Sequence, residues 1–354
     1  MIYFDNAATT QLNPAVTDAM QLCEQTNYFN ANTGYAGGVA AAKQIAAAKQ
    51  TILQQINGTT GQLIFTSGAT AANQMLINFK TRRPNQRLIV TAGDHNSVYV
   101  PAKELADRGY DVVTAPLLAS GLIDLPRTLD LVTAQTTLLV FSLVNSDTGT
   151  YQDAAALTQA VHRKNPNVHI HADAAQAAGK FPIDVAALGV DSLTLCAHKI
   201  HGPKGIGALW LRAGITLPAP HGTLNNAGIV GLATALTTFA APQVPALHDY
   251  LVQHLPAGCQ INGCNNNPFI TNIMLPGVYG ETVLNALSNQ GTYVGIGSAC
   301  SAHAKGNRTL AAMGRSPEQQ KQVLRISFGM TNTLAEVKTF LDQLSAVLQL
   351  LGKH

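Results

Sequence analysis

Seven short apolar runs, strung between helical and loop-like segments, constrain this chain more than any other feature. They read GQLIFTSG (61–68), RLIVTAG (87–93), YDVVTAP (110–116), TTLLVFSLV (136–144), NVHIHAD (167–173), DSLTLCA (191–197) and GIGALWLR (205–212). None keeps the strict polar–apolar alternation of a half-exposed strand, so each is expected to be covered on both faces. Helical segments start near Thr70 and span 97–108 and 153–163. Two more, 13–27 and the alanine-rich 36–56, precede the first strand. The pattern predicts an α/β fold with a mostly parallel seven-stranded sheet flanked by helices. The chemistry of such a sheet belongs at the carboxyl ends of its strands.

Beyond residue 213 the texture changes. ITLPAPHGTLNN is loop-like, a helix is expected over 226–238, and APQVP breaks the chain near 241–245. A helix near 246–254, a strand near 269–275, a helix near 281–289 and a last helix near 333–350 complete the reading. These form a smaller α+β domain, expected to comprise 251–354 together with 1–12, beside a large domain of 13–250.

The bulk numbers exclude several classes. At 354 residues the chain is long enough for a large domain plus a smaller one. A formal net charge of +3, with no Lys/Arg-rich run, argues against nucleic-acid binding. No stretch of about 18 apolar residues predicts a membrane span. MIYFDNAATT lacks the basic and apolar regions of a signal peptide, so a cytoplasmic location is expected. The five cysteines are scattered, which fits reduced thiols better than a disulfide framework. No zinc-type pairing of cysteines is present, and no metal is expected.

Four strand ends carry polar motifs. TSGATAAN (66–73) puts small residues and Thr70 at a helix N-terminus, which is either an anion site or an ordinary capped helix. DHNSVY (94–99) offers His95, either to stack on a flat ring and move protons or simply to cap a helix. HADAAQ (171–176) ends a strand on Asp173, a carboxylate that burial obliges to find a partner, with Gln176 three residues on. CAHKIHGPKG (196–205) places His198 and Lys199 at a strand end, where a lysine is rarely buried without a purpose. Lys204, in its Gly-Pro-Lys-Gly turn, is expected to be solvated. Together a phosphate cradle, a stacking histidine, a carboxylate for a pyridinium nitrogen and a strand-end lysine describe one ligand, pyridoxal 5'-phosphate.

At this point the sequence resembles the fold-type I, class V aminotransferase-like enzymes, specifically the NifS/IscS-type cysteine desulfurases. The resemblance runs nearly end to end. FDNAATT (4–10), TSGAT (66–70), DHNSV (94–98), VNSDTG (144–149), HADAAQAAGKFPIDV (171–185), AHKIHGPKGIGALW (197–210), GTL (222–224), GSACSA (297–302) and LRISFG (324–329) all occur in the family's order. The resemblance implies Lys199 as the Schiff-base lysine, Asp173 at the pyridine nitrogen, Gln176 at the phenolic oxygen and His95 stacked on the ring. It also implies Asn145 beside cofactor and substrate, with Ala69, Thr70 and His198 at the phosphate. Thr223 would reach in from the second subunit of a homodimer, and Arg325 would clamp the substrate carboxylate with its planar fork of donors.

The same resemblance assigns Cys300, in GSACSAH (297–303), as the nucleophile that takes sulfur from L-cysteine, leaving L-alanine and an enzyme persulfide. Its neighbours His303, Lys305 and Arg308 would favour the thiolate. A protein acceptor, for iron–sulfur assembly or tRNA thiolation, would then receive the sulfur. Three departures stand out: the Gly-rich, arginine-bearing segment ahead of GTL is missing, Cys196 replaces a phosphate-binding serine, and the helix after 231 is shortened. Alternatives from the same residues are another class V enzyme (an aminotransferase, or a selenocysteine or cysteine-sulfinate lyase) or a weakly active scaffold.

Overall fold

A computed structural model describes residues 1–81, 83–218, 222–297 and 306–352. Cys300, His303 and Lys305 lie outside these described residues. The chain opens on a short strand, β1 (Ile2–Tyr3), and the helices Pro14–Thr26 and Ala36–Gln55. Then come β2 (Gln62–Thr66), β3 (Arg87–Thr91), β4 (Val112–Ala115), β5 (Thr136–Ser142), β6 (His169–Asp173), β7 (Ser192–Cys196) and β8 (Gly207–Leu211). These seven form one sheet in the order β2-β8-β7-β6-β5-β3-β4. Pairing is parallel from β7 through β4, and β8 runs antiparallel to both β7 and β2. One reversed strand therefore sits among six that share a direction.

Side chains explain why the runs are continuously apolar. Along β5, Leu139 and Phe141 enter one core while Leu138 and Val140 enter another on the opposite face. On β8, Ala208 and Trp210 face the first core and Leu209 and Leu211 the second. With both faces covered, alternation of polarity has no role, because every position sheds water. Phe141 is fully buried, and its truncation to alanine would cost about 3–5 kcal/mol.

Helices Pro14–Thr26 and Ala36–Gln55 pack against Asn226–Thr238. Their small residues permit close approach: a Cβ added at Gly231 would lie 2.8 Å from both Met20 Sδ and Pro203 Cγ. The helix Val244–Gln253 follows a break, with a proline in its first turn, where the missing N–H costs nothing.

A separate sheet is built from β9 (Gln260–Asn262), β10 (Ile270–Met274) and β12 (Val323–Ser327), antiparallel in the order β12-β10-β9. Strand β11 (Thr292–Tyr293) pairs in parallel with β1. Asp5 bridges to Ser327 and Gly295 to Arg325, so the first residues of the chain are stitched to β12. The last helix, Leu334–Leu351, starts with a capping box of Thr333 and Glu336. Among the described residues no helix is long and apolar enough to cross a membrane.

Candidate active site

A cavity of about 460 Å³ opens at the carboxyl ends of the sheet. Because β2, β3, β5, β6 and β7 share a direction, the loops leaving them converge there. Ala69, Thr70, His95, Asp173, Gln176, His198, Lys199 and Arg325 all line it.

The helix Ala69–Lys80 points its N-terminus into the cavity. Its N-cap is Gly68, at φ 148° and with no side-chain cap. That backbone geometry suits glycine, and a Cβ there would meet nothing within 4 Å. The first turn therefore carries no side-chain cap toward the cavity, with the positive end of the helix dipole behind it.

His95 caps the helix Asn96–Asp107 by accepting from Ser97 N at 3.1 Å, and it faces the cavity as well. Burial pushes its pKa below the usual histidine value. His198 contacts Thr9 Oγ1 at 3.1 Å, and burial, helped by the charge of Lys199, lowers its pKa to about 4. Both shifts favour the neutral imidazole.

Asp173 ends β6 and is 6% exposed. It accepts from Asn73 Nδ2 at 2.8 Å and from Ala175 N at 2.9 Å. Among the described residues it makes no ion pair, so a buried carboxylate faces the cavity without a cation of its own. Gln176 donates from Nε2 to the Ala7 carbonyl at 2.9 Å and accepts at Oε1 from Lys180 Nζ, also at 2.9 Å. The ammonium can only donate, which fixes which end of the amide faces it.

Lys199 closes a 3-10 turn, Ala197–Lys199, directly after β7. Its Nζ donates to the carbonyls of Ala7 at 2.5 Å and Ala8 at 2.7 Å, both neutral acceptors. Burial brings its pKa down to about 8. Lys204 is exposed at the cavity rim. Cys196, at the end of β7, is buried in the cavity wall, and desolvation raises its thiol pKa.

Arg325, on β12, is 3% exposed. Its Nη2 pairs with Asp5 Oδ1 at 2.6 Å, and Nη1 donates to the Ser146 carbonyl at 2.9 Å. Its Nε is buried with no hydrogen-bond partner among the described residues.

Two expected site residues stand apart from the cavity. Asn145 is turned to hold its own loop: Nδ2 donates to the Gly93 carbonyl at 2.8 Å, and Oδ1 accepts from the N–H groups of Asp147 and Thr148. Its neighbours Val144 and Ser146 form the wall instead. Thr223 is exposed, 3.4 Å from Asn30 Nδ2, and lines an adjoining cavity. Arg308 lies with its guanidinium 3.7 Å from the centre of the Tyr99 ring and donates to the Asp94 carbonyl.

Sequence reasoning passed over Asn73, Ser97, Asp5 and the carbonyls of Ala7 and Ala8. Asn73 had a readable signal, because it is a polar residue among the buried positions Ala72, Leu76 and Ile77 of an otherwise apolar helix face. The Ala7 and Ala8 carbonyls had none, since backbone groups carry no residue signature.

Fold and site together define a class V aminotransferase architecture. The chain belongs to the Aminotransferase class-V family, which it matches over residues 2–221 and 216–340, and within it to the IscS/NifS-type cysteine desulfurases. It is similar to the cysteine desulfurase IscS of Photobacterium profundum, 31% identical over 378 residues that cover 98% of this chain and 93% of that one. A solved NifS-like protein superposes with a TM-score of 0.90 at 29% identity, covering 99% of this chain and 100% of the other. A structure described as SspA in complex with cysteine superposes with a TM-score of 0.84 at 25% identity, covering 94% and 100% respectively.

Proposed function

We propose that this chain is a pyridoxal 5'-phosphate-dependent cysteine desulfurase. It converts L-cysteine to L-alanine and passes the sulfur, through Cys300, to a protein acceptor for iron–sulfur cluster assembly or tRNA thiolation. One observation carries the reading: a lysine amine and a buried carboxylate without a cation face a single cavity beside an uncapped helix N-terminus. Those donors fit the cofactor group by group. Lys199 is the amine for its aldehyde, Asp173 the anion for its ring nitrogen, and the Ala69–Thr70 turn with His198 the cradle for its phosphate. Gln176 would turn an amide N–H toward its phenolic oxygen, and His95 would cover its ring. Bound there, the cofactor supplies an electron sink that weakens bonds at the α- and β-carbons of the substrate.

The rest of the work falls to the chain. With a pKa of about 8, Lys199 exchanges protons near neutrality, as a strand-end acid and base requires. Arg325 binds the substrate carboxylate, and its unpartnered buried Nε supports that role, because an orphan donor gains most from a charged acceptor. The Cys300 thiolate attacks the substrate sulfur. A sulfur–sulfur bond forms and the Cβ–S bond breaks. Its electron pair stays with the substrate carbon, which takes a proton to become alanine.

A homodimer completes the proposal, built on 13–250 as the cofactor domain and 1–12 with 251–354 as the smaller one. Leu22, Tyr28, Tyr35, Val39 and Leu224 are exposed on neighbouring segments. The Tyr28 ring stacks on Phe29, and Asn226 ties its own loop to the carbonyls of Asn27 and Phe29. Thr223, next to Leu224, would enter a second subunit's cavity.

The test is Cys300→Ser supplied with L-cysteine and a thiol reductant. Loss of sulfide release and of alanine formation is expected. Undiminished sulfide would overturn the mechanism, and a keto acid product would make the protein an aminotransferase.

A further inference from the structure

Asn73 is fully buried on the helix Ala69–Lys80, one turn beyond the phosphate cradle. Its two amide N–H groups point at two residues next to the cavity. One Nδ2 bond runs to Asp173 Oδ2 at 2.8 Å and the other to Ser97 Oγ at 2.9 Å. On its other side Oδ1 lies 2.7 Å from Thr194 Oγ1 and 3.0 Å from His171 Nε2.

The direction of every bond follows from Asp173. An ionised carboxylate only accepts, so Nδ2 of Asn73 faces it and Oδ1 faces away. Thr194 must then donate its hydroxyl proton to Oδ1, and His171 must carry its proton on Nε2. The bare Nδ1 of His171 takes the Ser192 hydroxyl at 2.8 Å, and Ser192 Oγ accepts from His169 Nε2 at 2.7 Å. On the other branch Ser97 Oγ, already accepting from Asn73, sends its proton toward His95 Nδ1 at 3.0 Å. Thr194, His169 and His171 are all buried, so water does not compete for these bonds.

We propose that Asn73 is a positioning residue for the cofactor reaction. It donates to Asp173, holds that carboxylate aimed into the cavity, and ties it through Ser97 to His95. The use of this network rests on the pyridoxal phosphate reading above, whereas the donor directions do not.

The isosteric variant Asn73→Asp tests it. The new side chain keeps an acceptor for Thr194 and His171 and loses both N–H groups, the one that faces Asp173 and the one that faces Ser97. Two carboxylates then share that contact and compete for one proton. Cofactor dissociation constants are measured for variant and wild type from pH 5 to pH 8, following the visible absorbance. About tenfold weaker binding is expected at pH 8, the order of one lost hydrogen bond to a charged group. The deficit should shrink as pH falls and the substituted carboxyl gains a proton to donate. Wild-type affinity throughout would overturn the proposal. So would a deficit that does not change with pH, because a packing defect has no reason to titrate. If this variant does not fold, Asn73→Ser is titrated instead, and wild-type affinity there would overturn it equally. A wild-type chain that binds no cofactor would instead sink the functional reading itself.

Discussion

Arg325 on β12 pairs with Asp5, four residues from the chain's start, at 2.6 Å between Nη2 and Oδ1. The arginine side chain is 4% exposed and the aspartate 24%. Gly295 makes room for them, since a Cβ there would sit 2.7 Å from Asp5 Oδ1 and 2.9 Å from Arg325 Nη2. Breaking a buried pair from one side strands the other charge, which typically costs about 3–5 kcal/mol. Asp5 keeps some water, so Asp5→Asn should cost less, about 2–3 kcal/mol. Urea unfolding of Asp5→Asn and of Gly295→Ala should show comparable losses. A double variant should show that the two losses do not add.

Stability should fall in acid ahead of ordinary carboxylate titration. Burial lowers His171 to a pKa of about 3 and His169 to about 2, against an unfolded value of about 6.5. Between those limits the unfolded chain binds protons that the folded chain refuses, so stability drops as pH falls below about 6.5. Each such histidine contributes a slope on the order of 1.4 kcal/mol per pH unit. Asp94 works the other way: burial raises it to about 7, so the folded state holds a proton that the unfolded state has released above about 3.8. Two histidines outweigh one carboxyl, and His198, at about 4, adds to their side. Unfolding free energies measured from pH 7 to pH 4 should therefore decline. His171→Gln should flatten the decline.

How much of this was legible in advance follows from where each residue gets its position. The seven strands were readable because covering both faces forces a continuous apolar run, as in TTLLVFS of β5. The reversal of β8 was not, because GALWL has the same buried character whichever way it runs. Strands β1, β9 and β11 have two or three residues each, too short for any period to show. Asp173 and Lys199 were visible because a charge at a strand end is costly without a ligand. Asn145 was assigned to the ligand wall, yet its amide is spent on the turn that follows it. A side chain's commitment to its own loop is a matter of local geometry that residue type does not reveal.

The proposed dimer gives a direct prediction. Leu224 is 40% exposed and sits next to Thr223 in the loop that precedes Asn226–Thr238. Leu224→Asp places a charge on an apolar face at a modest cost to the folded monomer, because the position already meets water in part. Sedimentation equilibrium should show the wild type as a dimer and the variant shifted toward monomer. Cofactor affinity should fall in parallel if Thr223 completes the partner's cavity. A variant that stays dimeric with unchanged affinity would place the interface elsewhere.

Lys199 carries the last prediction. Attack on an aldehyde requires the neutral amine, and burial has already moved this amine from 10.5 to a pKa of about 8. An ordinary solvated lysine is almost wholly protonated at pH 8, whereas about half of Lys199 is free to react there. The rate of visible absorbance gain on adding pyridoxal 5'-phosphate to cofactor-free protein should therefore rise about tenfold per pH unit below about 8. It should level off above that value rather than climb on toward 10.5. Lys199→Ala should bind without the slow spectral change, and Lys180 should not substitute for it. Lys180 also has a lowered pKa, about 7, but its Nζ is held on Gln176 Oε1 at 2.9 Å and it does not line the cavity. A rate still rising steeply at pH 10 would mean that the amine is not desolvated, and the proton-transfer role assigned to it would fail with that result.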